Sequence, residues 1–338
     1  MTHLTYLEAA VVGLVQGVSE MFPVSSLGHN VLIPAIIGGS WASDLNVAKP
    51  ESPYLAFIVG LHVATAIALL IYFRRDWIRI IGGFFTSIRD RRVRTEDQKL
   101  AWMIIVATIP VGIVGLLFEH AFRVIFGKPI LAGIFLAVNG VILIAGERYR
   151  SGASKAADAA IADERDPRLI PAREPELVAA GRGPAGSHAR AGARDPRQQE
   201  HAEAIQADRR LARMRYPQAT LVGSAQILAL LAGISRSGVT MVGGMMRGLS
   251  REDAARFAFL LATPVILAAG ILKVPDLTGP LGSGIRGQIL LGSVLSGVGA
   301  YVSVRYLVRY FQTRTLTPFG IYCLIVGLGS IVYLKLVK

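Results

Sequence analysis

Cysteine is almost absent from this sequence of 338 residues, in which Cys323 is the single example. A chain with one cysteine can form neither an internal disulfide framework nor a thiolate metal site of several ligands. Charged residues are also scarce, at 17% of the chain, whereas hydrophobic residues make up 52%. The first apolar run has no basic segment before it and is interrupted by Gln16 and Glu20, so we expect no cleavable signal peptide.

The apolar residues are concentrated in blocks of about 20 residues, a length that spans a bilayer as a helix. The formal net charge is +13, but the Lys and Arg residues cluster just beyond the ends of these blocks. Basic residues in that position are typical of loops that stay in the cytoplasm. The composition therefore predicts an all-α polytopic membrane protein, and we expect no nucleic-acid partner.

Six blocks are predicted to be transmembrane helices, and the segment between the third and fourth has a different composition. The predicted spans are 54–73, 100–118, 130–145, 257–272, 288–306 and 319–336. Residues 151–215 are rich in Ala, Arg, Asp, Glu, Gly and Pro, and such a segment buries too little apolar surface to fold alone. We divide the chain into a first half (1–150), a disordered polar cytoplasmic insert (about 151–215) that we expect to be dispensable, and a second half (216–338).

The stretch QGVSEMFPVSSLGHN, from Gln16 to Asn30, is the most polar part of the N-terminal apolar region. Gln16 and Glu20 are four residues apart and would share one helix face. Pro23 and Gly28 interrupt the helix, and Ser25, Ser26 and His29 lie at the interruption. Polar side chains and unwound backbone at membrane depth are costly, which favours a functional site here.

A second interruption, AGISRSGVT, lies in the other half of the chain. It contains Ser235, Arg236, Ser237 and Thr240. The planar guanidinium of an arginine suits phosphate, and glycines let backbone N–H groups approach an anion. The two interruptions together indicate phosphoryl chemistry on an anionic substrate.

The two halves are similar in spacing, since Gln16 lies nine residues before Ser25 and Gln226 lies nine residues before Ser235. Four basic loops are expected to face the cytoplasm, at 74–99, 148–217, 247–251 and 305–314. This is possible only if 1–53 and 217–250 do not cross the membrane, so that each enters it and leaves it on the same side, the first from outside and the second from inside. The sequence thus predicts an inverted-topology repeat, with about six transmembrane helices and two re-entrant helical hairpins. This architecture also suits a polyprenyl-phosphate flippase or transporter, which is the alternative function.

At these two motifs the chain resembles the bacitracin-resistance family of undecaprenyl-diphosphatases. The family pattern has Glu or Gln four residues before a Glu, then FxPVSSxGH, and later PGxSRSGxT. The resemblance covers the chain except the insert. It implies hydrolysis of undecaprenyl diphosphate to the monophosphate at the outer face of a bacterial inner membrane, with Mg²⁺ or Ca²⁺ as a cofactor and bacitracin resistance as a consequence.

The resemblance also implies the site residues. The expected catalytic residues are Glu20, Ser26, His29 and Arg236, and the expected substrate-binding residues are Gln16, Ser25, Ser235, Ser237 and Thr240. Two positions differ from the most common form of the pattern. The first acidic position is occupied by Gln16, so Glu20 is the one carboxylate left to bind a metal, and Ala232 replaces the proline of the second motif. The oligomeric state stays open, with a homodimer as one option.

Several roles stay open at this stage. Ser26 is the candidate nucleophile with His29 as its base, or His29 activates water and Ser26 only binds phosphate. Glu20 would hold the divalent ion, and Arg236 would stabilise charge on the transferred phosphoryl group. Serines at a helix break also act as simple helix caps, and His62 is interpreted as a helix–helix hydrogen-bonding group.

Overall fold

The computed structural model describes residues 4–45, 53–126, 128–164, 205–272 and 284–337, and these residues contain helices but no strand. In chain order the helices are α1 Tyr6–Met21, α2 Ser26–Ile37, α3 Gly39–Asp44, α4 Pro53–Tyr72, α5 Arg74–Asp90, α6 Glu96–Phe126, α7 Pro129–Glu164, α8 at 205–212, α9 Tyr216–Ser224, a short 3₁₀ helix Ala225–Leu230, α10 Arg236–Met246, α11 Arg251–Leu272, α12 Arg286–Thr313 and α13 Thr317–Leu336.

Five of these helices are long and apolar enough to cross a membrane, and α4 together with α5 is a sixth candidate that bends by 87°. The five are α6, α7, α11, α12 and α13, each of which contains a predicted span. The all-α polytopic fold class and the count of about six spans are therefore confirmed. The inverted repeat and its re-entrant hairpins stay predictions.

Both predicted interruptions are breaks between helices. The first helix ends at Met21 and the next begins at Ser26, while the 3₁₀ helix ends at Leu230 and α10 begins at Arg236. Each new helix is capped by a serine, since Ser25 Oγ accepts a hydrogen bond from the Gly28 N–H and Ser235 Oγ accepts one from the Gly238 N–H. Such caps satisfy backbone donors that the helix start leaves free.

The two halves of the chain pack against each other through small residues. Helix α1 packs along α12, and α7 packs along α13. A Cβ atom added at Gly17 would lie 2.2 Å from the Ser296 carbonyl oxygen, and one added at Gly140 would lie 2.6 Å from the Gly320 carbonyl oxygen. Small residues let membrane helices approach this closely, so these contacts fix the position of α1 and its polar face.

An ion-pair cluster joins several segments that the charge pattern assigns to the cytoplasm. Arg79 of α5 binds Asp76, Asp97 and Asp208, and Arg256 of α11 binds Asp76 and Asp208. Asp208 belongs to α8, within the predicted insert. The cluster thus joins the predicted cytoplasmic segments 74–99 and 148–217 to Arg256, which lies shortly after the segment 247–251.

The ends of the predicted insert differ from a disordered segment. Helix α7 continues to Glu164, and α8 at 205–212 contacts the helical core through the fully buried Leu211. The Arg210 guanidinium also donates to the Asp253 carboxylate at 2.7 Å. Residues 165–204 lie outside the described residues, and the division of the chain stays a prediction.

Candidate active site

Glu20 is the residue on which the two breaks converge. It lies in the last turn of α1, and its side chain is 7% exposed. Its Oε1 accepts a hydrogen bond from Arg236 Nη2 at 2.5 Å, and its Oε2 accepts from Ser26 Oγ and from Gln16 Nε2. The acid, the hydroxyl and the cation predicted from two distant motifs therefore form one cluster.

Arg236 is held at the first position of α10 by contacts on both sides of its guanidinium. Nη2 binds Glu20, while Nη1 donates to the carbonyl oxygen of Ala262 in α11 at 3.1 Å. Its side chain is 16% exposed. A largely buried arginine that keeps a single carboxylate partner is suited to exchange that partner for a phosphate oxygen.

Gln16 connects Glu20 to two side chains that the sequence did not assign to the site. Its amide oxygen accepts from Asn30 Nδ2 at 2.6 Å, and its Nε2 contacts His62 Nε2 at 3.2 Å. His62 belongs to α4, so this contact confirms its interpretation as a helix–helix hydrogen-bonding group. His62 Nε2 also lies 3.6 Å from Glu20 Oε2, which places it at the edge of the cluster.

His29 does not contact Ser26 through any hydrogen bond among the described residues. Its Nδ1 lies 2.7 Å from the Ser25 carbonyl oxygen, and its Nε2 lies 2.8 Å from the Tyr322 hydroxyl. Because a carbonyl oxygen only accepts, the proton is assigned to Nδ1, and Nε2 accepts from Tyr322. The structure therefore pairs Ser26 with Glu20 and pairs His29 with Tyr322 of α13.

Three of the four remaining predicted binding residues join the two breaks, and the fourth, Thr240, bonds within α10. Ser25 Oγ accepts from the Gly233 N–H at 3.2 Å, which joins the first break to the second. Ser235 and Ser237 lie 3.1 Å apart through their hydroxyl oxygens, and Ser237 donates to the Phe22 carbonyl. Thr240 Oγ1 donates to the Arg236 carbonyl at 2.7 Å. In the described structure these hydroxyls shape the backbone around the cluster.

Asn139 of α7 bridges both breaks and was missed by the sequence analysis. Its amide nitrogen donates to the Pro23 carbonyl at 3.0 Å, and its amide oxygen accepts from the Ser235 N–H at 3.0 Å. The side chain is fully buried. An amide in the middle of a predicted span is the signal that could have identified it, because polar groups at membrane depth usually serve a function.

An apolar cavity of about 600 Å³ opens beside His29 and Tyr322. Helices α1, α2 and α13 supply most of its lining, which includes Leu14, Val18, Phe22, Ile33 and Phe319. The cavity therefore places a long hydrophobic surface next to an imidazole and a phenol. Binding sites for small molecules commonly combine an apolar lining with a few polar groups in this way.

Comparison with known proteins identifies the family. Residues 9–166 and 191–329 match the family model described as bacitracin resistance protein BacA. The chain belongs to the BacA family. It is 56% identical over 334 residues to an undecaprenyl-diphosphatase of Mycolicibacterium paratuberculosis, with 99% of each chain covered. It is 54% identical to undecaprenyl-diphosphatase 2 of Frankia alni, with 97% of each chain covered.

More distant BacA relatives also align along most of the chain. Undecaprenyl-diphosphatase 2 of Burkholderia orbicola is 40% identical over 319 residues, which cover 93% of this chain and 91% of that protein. The match includes both breaks, since each lies within the residues that fit the BacA family. The family resemblance drawn from the two motifs is thus confirmed.

The polar cluster offers little for a metal site made by the protein alone. Among the described residues, no group of three or more His, Cys, Asp or Glu side chains could hold a metal ion. Both Glu20 oxygens already accept hydrogen bonds. Because Mg²⁺ is often bound by one or two carboxylates plus substrate phosphates, Glu20 fits such an ion only where substrate oxygens complete the coordination.

Proposed function

We propose that this protein hydrolyses undecaprenyl diphosphate to undecaprenyl phosphate and inorganic phosphate. The observation that carries the proposal is the convergence of Glu20, Ser26 and Arg236 from two breaks, with Glu20 and Arg236 216 residues apart in the chain. The names of the relatives, which are undecaprenyl-diphosphatases, support the same reaction. Release of the monophosphate recycles a lipid carrier and accounts for the resistance in the family's name.

The cluster supports a covalent mechanism. The Ser26 oxygen attacks the terminal phosphorus, its proton passes to Glu20 Oε2, and undecaprenyl phosphate leaves as the phosphoanhydride bond breaks. Water then attacks the phosphorus of the phosphoserine, and the stored proton passes from Glu20 to the Ser26 oxygen as the bond between that oxygen and phosphorus breaks. The water oxygen and both of its hydrogens leave with the inorganic phosphate, and Glu20 is ionised again. Glu20 is the base in this scheme because it already accepts the Ser26 hydrogen bond.

Arg236 stabilises the negative charge that spreads over the transferred phosphoryl oxygens. In the structure its Nη2 donates to Glu20 Oε1. When a phosphate oxygen takes over this guanidinium, Glu20 Oε1 is freed, while Glu20 Oε2 keeps the hydrogen bond from Ser26.

His29 has a separate role in the proposal. Its Nε2 is the acceptor nitrogen and faces Tyr322 at the cavity. As an acceptor it would bind and orient the water of the second step. Activation of water by His29 with Ser26 as a phosphate ligand is the second version of the mechanism, and the two versions differ in the need for the Ser26 oxygen.

The cofactor is part of the proposal. We expect Mg²⁺ or Ca²⁺, with Glu20 as its protein ligand and substrate phosphates as the others, and the ion would neutralise the diphosphate charge. The apolar cavity would accept the first part of the prenyl chain, with the diphosphate at its polar end. We place the site at the outer side of the bacterial inner membrane, as the family resemblance implies. A homodimer stays a prediction.

Phosphate release by the purified protein from undecaprenyl diphosphate tests the proposed function. A flippase or transporter would bind the same lipid through Arg236 and the hydroxyls without cleaving it. The direct contact between Ser26 and Glu20 favours hydrolysis, since a binding site has no use for an activated hydroxyl.

A further inference from the structure

Helix α5 has an exposed apolar face that no described helix covers. Ile78 is 71% exposed and Phe85 is 63% exposed, and Ile81 and Ile88 are exposed as well. Their spacing of three, four and three residues puts all four on one side of the helix. The opposite side carries the buried Asp76, Ile80, Gly83 and Ser87. The helix therefore has an apolar side that points away from the protein and a buried side that includes polar residues.

The buried side of α5 is fixed, so the helix cannot rotate to hide the apolar face. Arg79 binds Asp76, Asp97 and Asp208, and Trp102 Nε1 donates to Ser87 Oγ at 2.9 Å. A Cβ atom added at Gly83 would lie 2.8 Å from the Asp97 backbone, which shows how closely α6 approaches. The exposure of the four apolar residues is thus a stable property of the fold.

The direction of α5 relative to α4 is that of a helix lying at a membrane surface. The helix follows α4 after one residue and bends from it by 87°. A helix that turns at right angles from the end of a span runs in the plane of the bilayer. An amphipathic helix in that plane buries its apolar side among the lipid chains near the headgroups.

Arginines flank both ends of the apolar face. Arg74 and Arg75 precede it, and Arg89, Arg91, Arg92 and Arg94 follow it, all of them exposed. Within the described residues, one ion pair involves this set of arginines, between Arg89 and the neighbouring Asp90 at 3.1 Å. The excess of positive charge at headgroup depth is complementary to anionic phospholipids.

We propose that α5 is an interfacial helix that inserts Ile78, Ile81, Phe85 and Ile88 into the cytoplasmic leaflet and binds anionic phospholipid headgroups through the flanking arginines. This inference is independent of the reaction at the active site, and it also explains why a basic segment between two spans is helical. The alternative occupant is a cytoplasmic protein. In that case the apolar face of α5 would be exposed to water in the isolated protein.

Depth in the bilayer tests the first part of the proposal. In a variant in which Cys323 is replaced by Ala, single cysteines at Phe85, Asp90 and Ile325 are spin-labelled after reconstitution into vesicles. Ile325 lies exposed on the membrane-spanning α13, and Asp90 lies beyond the apolar face. We expect the label at position 85 to be accessible to oxygen, which dissolves in the bilayer, as we expect for the label at 325. If the label at 85 is instead accessible to an aqueous nickel chelate, as we expect for the label at 90, the proposal is wrong.

Lipid selectivity tests the second part. The preference of the protein for spin-labelled phosphatidylglycerol over phosphatidylcholine is measured for Arg92→Gln/Arg94→Gln and for a matched control, Arg305→Gln/Arg314→Gln, which removes the same charge at the end of α12. We expect the α5 variant to lower the association constant of the phosphatidylglycerol sites about tenfold or more, and the control to leave it unchanged. Equal losses in both variants, or no preference in the unaltered protein, would contradict the proposal.

Discussion

The hydroxyl of Ser26 donates its hydrogen bond to the carboxylate of Glu20. The two residues belong to different helices on either side of the first break, so the break itself creates the contact. His29, three residues beyond Ser26, instead bonds to Tyr322. Glu20 and His29 therefore serve different partners, and their roles can be separated by mutation.

The Ser26→Ala variant separates the two versions of the mechanism. If the Ser26 oxygen attacks phosphorus, its removal should lower kcat by about 10²-fold or more, while a change in KM alone would point to phosphate binding. Ser224→Ala is the matched control, because the Ser224 hydroxyl donates only to the Thr220 carbonyl within its own helix. Near-normal turnover in Ser26→Ala would replace the covalent mechanism with direct attack by water.

Tyr322→Phe tests whether the phenol positions His29. The variant keeps the ring that stacks on the imidazole but removes the hydrogen bond to Nε2. We expect kcat to fall about tenfold, less than for His29→Ala, together with a changed pH profile of kcat. Tyr333→Phe on the same helix should change neither quantity. A purely structural role would lower the melting temperature and leave the pH profile as it is.

Asn139→Ala should destabilise the junction of the two breaks. It leaves the Ser235 N–H without a partner in a buried place, and it leaves the Pro23 carbonyl with only the weak contact from Cys323 Sγ at 3.9 Å. Each unsatisfied buried group costs about 1–3 kcal/mol, so we expect a loss of about 2–4 kcal/mol in the free energy of unfolding.

Thermal unfolding in detergent measures this loss. Val138→Ala, at the exposed neighbouring position, serves as the control and should cost under about 1 kcal/mol. If the two variants unfold alike, Asn139 does not hold the breaks together.

The predicted insert should divide into a dispensable part and a structural part. Replacing 165–204 with a short flexible linker should leave turnover near the value of the full chain, because loop-closure entropy depends only weakly on length. Asp208→Ala should instead cost about 3 kcal/mol, since it removes the acceptor shared by the largely buried Arg256 and Arg79.

The control for Asp208 is Glu96→Gln. Glu96 pairs with Arg209 at an exposed position, where such a pair contributes about 0–1 kcal/mol. Loss of activity in a linker variant that folds normally would assign substrate capture or regulation to 165–204. A stable Asp208→Ala protein would show that α8 is not needed for the fold.

Local rules were enough to predict both breaks and the face shared by Gln16 and Glu20. Pro23 opposes a continuous helix and lies in the break, whereas Gly28, also predicted to interrupt the helix, lies inside α2. Residues four apart meet on a helix, as the hydrogen bond of 2.9 Å between Gln16 and Glu20 confirms. The second interruption already indicated Arg236 as a phosphate ligand, but the contact of Arg236 with Glu20 crosses 216 residues of sequence. No periodicity predicts a contact over that separation.

The partners missed by the sequence analysis depend on packing between distant helices. Tyr322 reaches His29 across 293 residues, and Asn139 reaches Ser235 across 96. The interpretation of 74–99 as a basic loop was also incomplete, because 74–90 forms helix α5. The arginines that indicate a cytoplasmic segment also flank an amphipathic helix, and charge alone does not distinguish the two.

The most direct test of the central claim compares the unaltered protein with Glu20→Gln on undecaprenyl diphosphate. Phosphate release and lipid binding are measured in the same vesicles, with and without a chelator of divalent ions. We predict equal amounts of phosphate and undecaprenyl monophosphate from the unaltered protein, loss of turnover with chelator, and about 10²-fold slower turnover in Glu20→Gln with binding retained. Binding of the lipid without phosphate release, or unchanged turnover in Glu20→Gln, would contradict the account.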